Sequence, residues 1–128
     1  MKPTGKSAVC IIENNKGESL LQKKTMTYRK WPGVWTFFGG IVNPGESIEK
    51  AMSRELKEEI GVKLKVKFLF KFDFDSEVHV FYGKLNDVSK ISLGEGCGFA
   101  FFDRKEFNKV TRGNKFVKEI IKRFDKGR

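Results

Sequence analysis

Residues 39–62, "GGIVNPGESIEKAMSRELKEEIGV", crowd acidic side chains into a chain that is otherwise strongly basic. The 128 residues include 26 Lys and Arg against 16 Asp and Glu, which gives a formal net charge of +10. Glu55, Glu58 and Glu59 stand at positions i, i+3 and i+4, where like charges repel each other on a helix. At about 100° per residue, these three carboxylates fall within an arc of roughly 100°.

The residues that carry these acids predict an α-helix. Ser47 suits its N-cap, apolar residues recur at helical spacing behind it, and Gly61 suits the left-handed position that ends a helix. On this helix we expect the basic residues Lys50, Arg54 and Lys57 to point away from the acidic arc. The arc is therefore either a binding site for a hard cation or a solvated acidic face.

Composition limits the class of protein. With 39% apolar and 33% charged residues, residues 1–128 are expected to form a single globular domain. The basic excess favours anionic partners, namely phosphates, nucleotides, nucleic acid or acidic membranes. Because no apolar run approaches ~18 residues and the N-terminal run is too short for a signal peptide, we expect no membrane partner. Two cysteines, Cys10 and Cys97, exclude a disulfide framework and favour a reducing, cytoplasmic location.

Short apolar or alternating runs around the helix predict β-strands. They cover residues 7–12, 19–22, 36–42, 62–74, 77–85 and 99–103. The first two runs predict a hairpin, two glycines split the third, and the fourth predicts one strand or a pair. Residues 104–107 predict a turn of helix, and residues 114–126 predict a second helix with one apolar face. Strands mixed with two separated helices favour an α/β or α+β sandwich.

The spacing around the acidic helix decides between a cation site and a solvated face with an Arg54–Glu58 ion pair. Five residues separate Gly40 from Glu46, and seven more precede "RELKEEIGV" at residues 54–62. This pattern resembles the Nudix box, G-x5-E-x7-R-E-U-x-E-E-x-G-U with U aliphatic, and every specified position is filled. Such a coincidence would arise by chance on the order of once in ten million chains of ordinary composition.

The resemblance implies the Nudix fold, a mixed β-sheet sandwiched between α-helices, over nearly the whole chain. It also implies hydrolysis of a nucleoside diphosphate linked to another moiety X, with Mg²⁺ or Mn²⁺ as cofactor. By the match to the box, Glu55 and Glu59 are the principal metal ligands, and the carbonyl of Gly40 completes the inner sphere. Glu58 is then an auxiliary metal ligand or the base that orients the attacking water.

Other site residues follow less directly from the resemblance. Arg54 and Glu46 are expected to form a positioning pair that holds the preceding loop against the helix and orients Glu55, rather than to act directly in catalysis. Glu95, in "LGEGCGFAFF", occupies a position like the loop acid of many Nudix enzymes. It is a candidate general base or metal ligand, or else a solvated turn residue.

The substrate contacts are predicted from residues that precede the box. Lys23, Lys24 and Arg29 are candidates for contacts with phosphates, and Phe38 is a candidate stacking surface for a base. Many relatives have proline where this chain has Phe38, so the local loop shape is expected to differ from theirs.

The function predicted from these features is Mg²⁺-dependent hydrolysis of a small nucleotide. The substrate is expected to be a nucleoside triphosphate, in a MutT-like sanitising role, or a nucleotide sugar. Two alternatives are removal of pyrophosphate from the 5′ end of RNA and a nucleotide-binding module without catalysis. Nothing in the sequence chooses between a monomer and a homodimer.

Overall fold

The computed structural model describes residues 5–24, 33–92 and 98–127, and across them seven strands form one mixed sheet. The strands are β1 (Lys6–Glu13), β2 (Ser19–Lys23), β3 (Trp35–Thr36), β4 (Phe38–Ile41), β5 (Val66–Asp73), β6 (Glu77–Lys84) and β7 (Gly98–Phe102). The helices are α1 (Ile48–Ile60), α2 (Arg104–Val110) and α3 (Lys115–Lys126), with a short 3₁₀ helix at Val88–Lys90. None of the helices in these ranges is long and apolar enough to cross a membrane.

Strand β1 organises the sheet. The strand order is β3-β2-β1-β6-β5, while β4 pairs with β1 and β7 pairs with β2. β1 runs parallel to β6, with Val9 opposite Val80, and antiparallel to β4, with Val9 opposite Gly39. The predicted hairpin between β1 and β2 is confirmed. The fully buried residues of β1 alternate between the two faces of the sheet, as the period of two in a strand requires.

Helix α1 covers one face of the sheet, with the caps that the sequence predicts. The side chain of Ser47 accepts a hydrogen bond from the Lys50 N–H at 3.2 Å. Gly61 has φ 68° and donates its N–H to the Lys57 carbonyl at 3.0 Å, which closes the helix in the left-handed conformation. Its buried side chains are Ala51, Met52, Leu56, Glu59 and Ile60. Except for Glu59, these pack against Ala8, Cys10, Ile12, Leu20 and Phe38 from the sheet.

Helix α3 covers the opposite face. Asn114 caps its first turn by accepting a hydrogen bond from the Val117 N–H at 3.2 Å. The buried residues Val117, Ile120, Ile121 and Phe124 form a core with Val9, Ile11, Leu21 and Phe37. The predicted sandwich of a mixed sheet between helices is therefore confirmed.

Two predicted elements differ in detail. The strand at residues 36–42 is interrupted at Phe37, not at the two glycines, and Gly39 and Gly40 lie inside β4. Glycine is needed inside this strand at position 39, because a Cβ there would lie 2.2 Å from the carbonyl oxygen of Ala8 on the paired strand. Residues 104–107 begin a seven-residue helix rather than a single turn, and buried Phe107 anchors it to the α3 core.

Candidate active site

The buried carboxylate of Glu59 is the centre of the site. Glu59 is on the face of α1 that meets the sheet, and only 3% of its surface is exposed. It accepts hydrogen bonds from the Gly39 N–H at 2.8 Å and from the side-chain amide of Gln22, and its Oε2 lies 3.7 Å from Lys24 Nζ. Burial raises the pKa of Glu59 to about 7, and the lowering effects of Gln22, Lys24 and Gly39 offset this only in part.

The carboxylate of Glu55 lies one turn earlier on α1, directly against the backbone of β4. A Cβ at Gly40 would lie 2.5 Å from its Oε1 and 2.7 Å from its Oε2. Glycine at position 40 is therefore needed to make room for this carboxylate. The packing brings Glu55, Glu59 and the Gly39–Gly40 backbone into one place, as the box predicts.

The guanidinium of Arg54 connects the loop before α1 to the acidic arc. It forms a bidentate pair with Glu46, with Nε 2.8 Å and Nη2 3.0 Å from the two carboxylate oxygens. Nη2 also donates to the Ile41 carbonyl at 3.0 Å, and Nη1 donates to Glu55 Oε1 at 2.8 Å and to Glu58 Oε2 at 3.4 Å. The prediction that Arg54 points away from the acids is wrong, because its long side chain bends back across them.

This network shifts the pKa values of Glu46 and Arg54. The hydrogen bonds from Arg54, and then from the Asn43 N–H, lower the pKa of Glu46 to about 2. The hydrogen bonds to Glu46 and then to Glu55 raise the pKa of Arg54 above its ordinary value. The contacts of the predicted positioning pair are thus present, and both partners stay charged across the physiological pH range.

The three acids of the arc are not equivalent in exposure. The side chain of Glu59 is 5% exposed, that of Glu55 is 15% exposed and that of Glu58 is 58% exposed. Within residues 5–24, 33–92 and 98–127, no three His, Cys, Asp or Glu side chains converge closely enough to hold a metal ion together. The oxygen donors that the fold does gather are two carboxylates, of Glu55 and Glu59, beside the Gly40 backbone.

A cavity of about 360 Å³ opens beside these residues. Gly39, Gly40 and Lys24 line it from the site described above. The remaining lining residues are Gly5, Lys6, Ser7, Val9, Thr36, Phe37, Ile41, Phe74, Asp75, Ser76 and Phe116. The sequence analysis missed Lys6, Phe74 and Phe116 as site residues, and no spacing pattern links them, because they come from three distant elements.

The predicted substrate residues have different outcomes. Lys24 lines the cavity, and its contact with phosphates stays a prediction, whereas Lys23 does not line the cavity and pairs within the sheet. Phe38 is wrong as a stacking surface, because its side chain is fully buried beneath α1; its neighbour Phe37 faces the cavity instead. Arg29 and Glu95 lie outside the described residues.

Comparisons with known proteins identify the family that the box resembles. A family model described as the NUDIX domain matches residues 3–124. The nucleoside triphosphatase NudI of Enterobacter sp. (strain 638) is 35% identical over 75 residues, which are 59% of this chain and 53% of that protein. NudI of Escherichia coli O17:K52:H18 is 36% identical over 95 residues, 72% of this chain and 67% of that protein. The chain thus spans about half the length of several curated relatives that it matches, including the first of these two.

Solved structures of related proteins match a larger share of the chain. The MutT protein of Methanosarcina mazei Go1 is 26% identical, with a TM-score of 0.75 that covers 98% of this chain and 96% of that one. A NUDIX hydrolase from Nitrosomonas europaea, at 22% identity and a TM-score of 0.76, has the same fold. Because the domain match includes almost all described residues and the box residues meet at one site, the chain belongs to the Nudix family.

Proposed function

We propose that residues 1–128 form one hydrolase domain that cleaves a pyrophosphate bond in a nucleoside triphosphate, with Mg²⁺ as cofactor. The observation that carries this proposal is the buried Glu59 carboxylate, one helical turn from Glu55 and hydrogen-bonded to Gly39, which lines the 360 Å³ cavity. A carboxylate is kept in such a place at a cost, because burial disfavours its charged form. A cation bound there would reverse that penalty.

The donor set fits magnesium. Mg²⁺ is typically bound by one or two carboxylates, with waters and substrate phosphates as its other ligands. Glu55 and Glu59 would hold it, together with the Gly40 carbonyl. A carboxylate offers about four lone-pair sites, so the hydrogen bonds from Gly39 and Gln22 leave Glu59 able to bind a cation as well. When bound, the metal polarises a phosphoryl oxygen and lowers the pKa of a bound water.

The remaining residues of the site bind and orient. The Gly39 N–H and Gln22 fix the direction of the Glu59 carboxylate, and Arg54 fixes that of Glu55. Lys6, on the wall of the cavity, supplies positive charge for the phosphates. Most of the catalytic effect is expected from this positioning and electrostatic stabilisation, as is usual for phosphoryl transfer.

The attacking water needs a base. Its oxygen forms the new bond to phosphorus as the bridging P–O bond breaks, and its proton must leave. Glu58 suits this step because its side chain is the exposed member of the acidic arc and lies 3.4 Å from Arg54, which can hold it in place. Glu95 is the second candidate base, on the strength of its place in the sequence.

A nucleoside triphosphate suits the size and lining of the cavity. Its 360 Å³ lies at the lower end of the range of small-ligand pockets, about 300–1,000 Å³. Phe74, which is 38% exposed, and Phe116 provide aromatic surface in the cavity wall. The NudI relatives are named nucleoside triphosphatases, which favours the same class of substrate.

The test is phosphate and pyrophosphate release from a panel of nucleoside triphosphates, nucleotide sugars and dinucleoside polyphosphates, with Mg²⁺ or with a chelator. We expect Glu55→Gln and Glu59→Gln to lower turnover by about 100-fold or more, because each removes a negative oxygen ligand. Glu49→Gln is the matched control, since Glu49 is an exposed acid in the first turn of the same helix. Wild-type protein without metal-dependent turnover, or a Glu59→Gln variant with full turnover, would refute the proposal.

A further inference from the structure

A second, larger cavity lies apart from the candidate active site. It has a volume of about 900 Å³ and forms a groove between the C-terminal half of α3 and the edge strand β5, with β6 beneath. We call it the α3–β5 groove. Four basic side chains line it: Lys67, Lys122, Arg123 and Lys126. Glu119 is the one acidic residue among the described residues of its wall.

The positive charge of the α3–β5 groove comes from its three lysines. Arg123 Nε is 2.7 Å from Glu119 Oε2, so these two opposite charges compensate each other. The guanidinium of Arg123 also lies over the ring of Phe72, 4.7 Å from its centre, which fixes it against the sheet. Lys67, Lys122 and Lys126 all have exposed side chains and stand on both sides of the groove.

The floor of the groove is aromatic. Phe70 and Tyr82 are half-buried there, and the Tyr82 ring stacks on Phe124 with 5.7 Å between centroids and 21° between planes. Lys67 Nζ lies 5.9 Å from the centre of the Tyr82 ring. Lysines on the rim and aromatic rings on the floor are thus combined in one concave surface.

We propose that the α3–β5 groove binds single-stranded nucleic acid. Proteins that bind single strands without sequence preference combine a positively charged groove, which follows the phosphates, with aromatic side chains that contact the bases. A duplex hides its base faces, so an aromatic floor at the bottom of a cavity suits an unpaired strand. The net charge of +10 adds long-range attraction for a polyanion.

The groove is close to the active site without being part of it. Helix α3 contributes Phe116 to the wall of the 360 Å³ cavity and residues 119–126 to the groove. At a rise of about 1.5 Å per residue, Phe116 and Lys126 are about 15 Å apart along the helix axis. One short strand can therefore contact both sites, but binding in the groove does not depend on the proposed hydrolysis.

The test measures binding of a fluorescently labelled oligouridylate of about 12 nucleotides to the full chain by fluorescence anisotropy. The salt concentration is varied from about 50 to 200 mM. A chelator is present, so that no metal-dependent turnover interferes. The triple variant Lys67→Gln, Lys122→Gln, Lys126→Gln removes the three rim charges. We expect its Kd to rise between about 10- and 100-fold, and the magnitude of its salt slope to fall by about 2, since each phosphate contact contributes about 0.7.

A second triple variant, Lys63→Gln, Lys105→Gln, Lys109→Gln, is the matched control. These lysines are exposed and do not line the groove, and both triple variants have the same formal charge of 10 − 3 = +7. We expect the control to bind within about threefold of wild type. Phe70→Leu, which keeps an apolar side chain on the floor, is expected to weaken binding by about fivefold or more through lost stacking.

Several results would overturn the proposal. The first is undetectable binding by the wild type, and the second is an equal rise in Kd for the two triple variants. The third is displacement of the labelled oligouridylate by a duplex, or by polyglutamate of similar charge, as strong as that by an unlabelled single strand. Polyglutamate competition would indicate an acidic polypeptide as the partner. Hydrolysis of free nucleotides by the groove variant should equal that of the wild type, so failure of the hydrolase proposal and failure of the groove proposal give separate signals.

Discussion

Glu59→Gln is expected to stabilise the metal-free protein at neutral and alkaline pH while it abolishes the proposed hydrolysis. The carboxyl of Glu59 is almost fully buried, and burial raises its pKa from 4.5 to about 7. A group whose pKa is higher in the folded state than in the unfolded state stabilises the fold fully below its unfolded pKa. That contribution is lost as pH rises through the folded pKa.

The magnitude follows from the two pKa values. Their difference of 2.5 (7 − 4.5), at 1.36 kcal/mol for each pH unit, corresponds to about 3 kcal/mol of folding free energy. Most of this, about 2–3 kcal/mol, is expected to be lost between about pH 5 and pH 8. The loss is large for a protein whose total stability is of the order of 5–15 kcal/mol.

Glutamine is the informative replacement because it keeps the shape of the side chain and removes the charge. The new amide also has a local partner, since Oε1 of Gln22 is buried and has no hydrogen-bond partner within the described part of the chain. Rotation of the Gln22 amide would present this oxygen to the new N–H group at position 59. The variant should therefore behave like the protonated wild type at every pH.

The assay is urea unfolding of wild type and variant at about pH 5 and pH 8 in the presence of a chelator. The wild type should lose about 2–3 kcal/mol more than the variant over this interval, and the exposed-site control Glu49→Gln should follow the wild type. Added Mg²⁺ should restore wild-type stability at the higher pH and have little effect on the variant. Parallel pH profiles for wild type and Glu59→Gln would refute the argument that burial penalises this carboxylate.

Four further substitutions separate structural from functional roles. Gly39→Ala, whose Cβ would lie 2.2 Å from the Ala8 carbonyl oxygen at φ 152°, should cost about 4 kcal/mol or more in urea unfolding. Gly40→Ala displaces only a flexible carboxylate, so this variant should fold normally and lose turnover. A Gly40→Ala variant that is less stable than Gly39→Ala would contradict the packing. Arg54→Lys cannot keep the bidentate contact and should lower kcat by about 10–100-fold, with unchanged kcat as the contrary result. Glu95→Ala should lower turnover by more than about threefold if Glu95 is the base, and a smaller change removes it from the mechanism.

The local sequence carried much of the information about α1 and its acids. The cap at Ser47 and the left-handed end at Gly61 are interactions within one helical turn, so they can be read from neighbouring residues. The spacing also placed Glu55 and Glu59 together, because a helix fixes which residues share a face. The resemblance to the Nudix box added Gly40 to them. The continuous apolar run in β1 likewise predicted a buried strand.

What the sequence could not supply was the environment of each side chain. Phe37 and Phe38 are chemically identical neighbours and both are buried, yet Phe37 packs in the α3 core and borders the cavity while Phe38 packs under α1. The cavity wall joins Lys6, Phe74 and Phe116, which only the pairing of β1 with β6 and the packing of α3 bring together.

The difference is one of range along the chain. Caps and helical faces depend on residues a few positions apart, where the geometry of the helix sets the distances. The pKa of Glu59, the bend of Arg54 across the acidic arc and the lysine rim of the α3–β5 groove depend on contacts between distant segments. The sequence by itself therefore determined which residues make the acidic helix, and the tertiary structure decided which of them are buried, paired or open to a ligand.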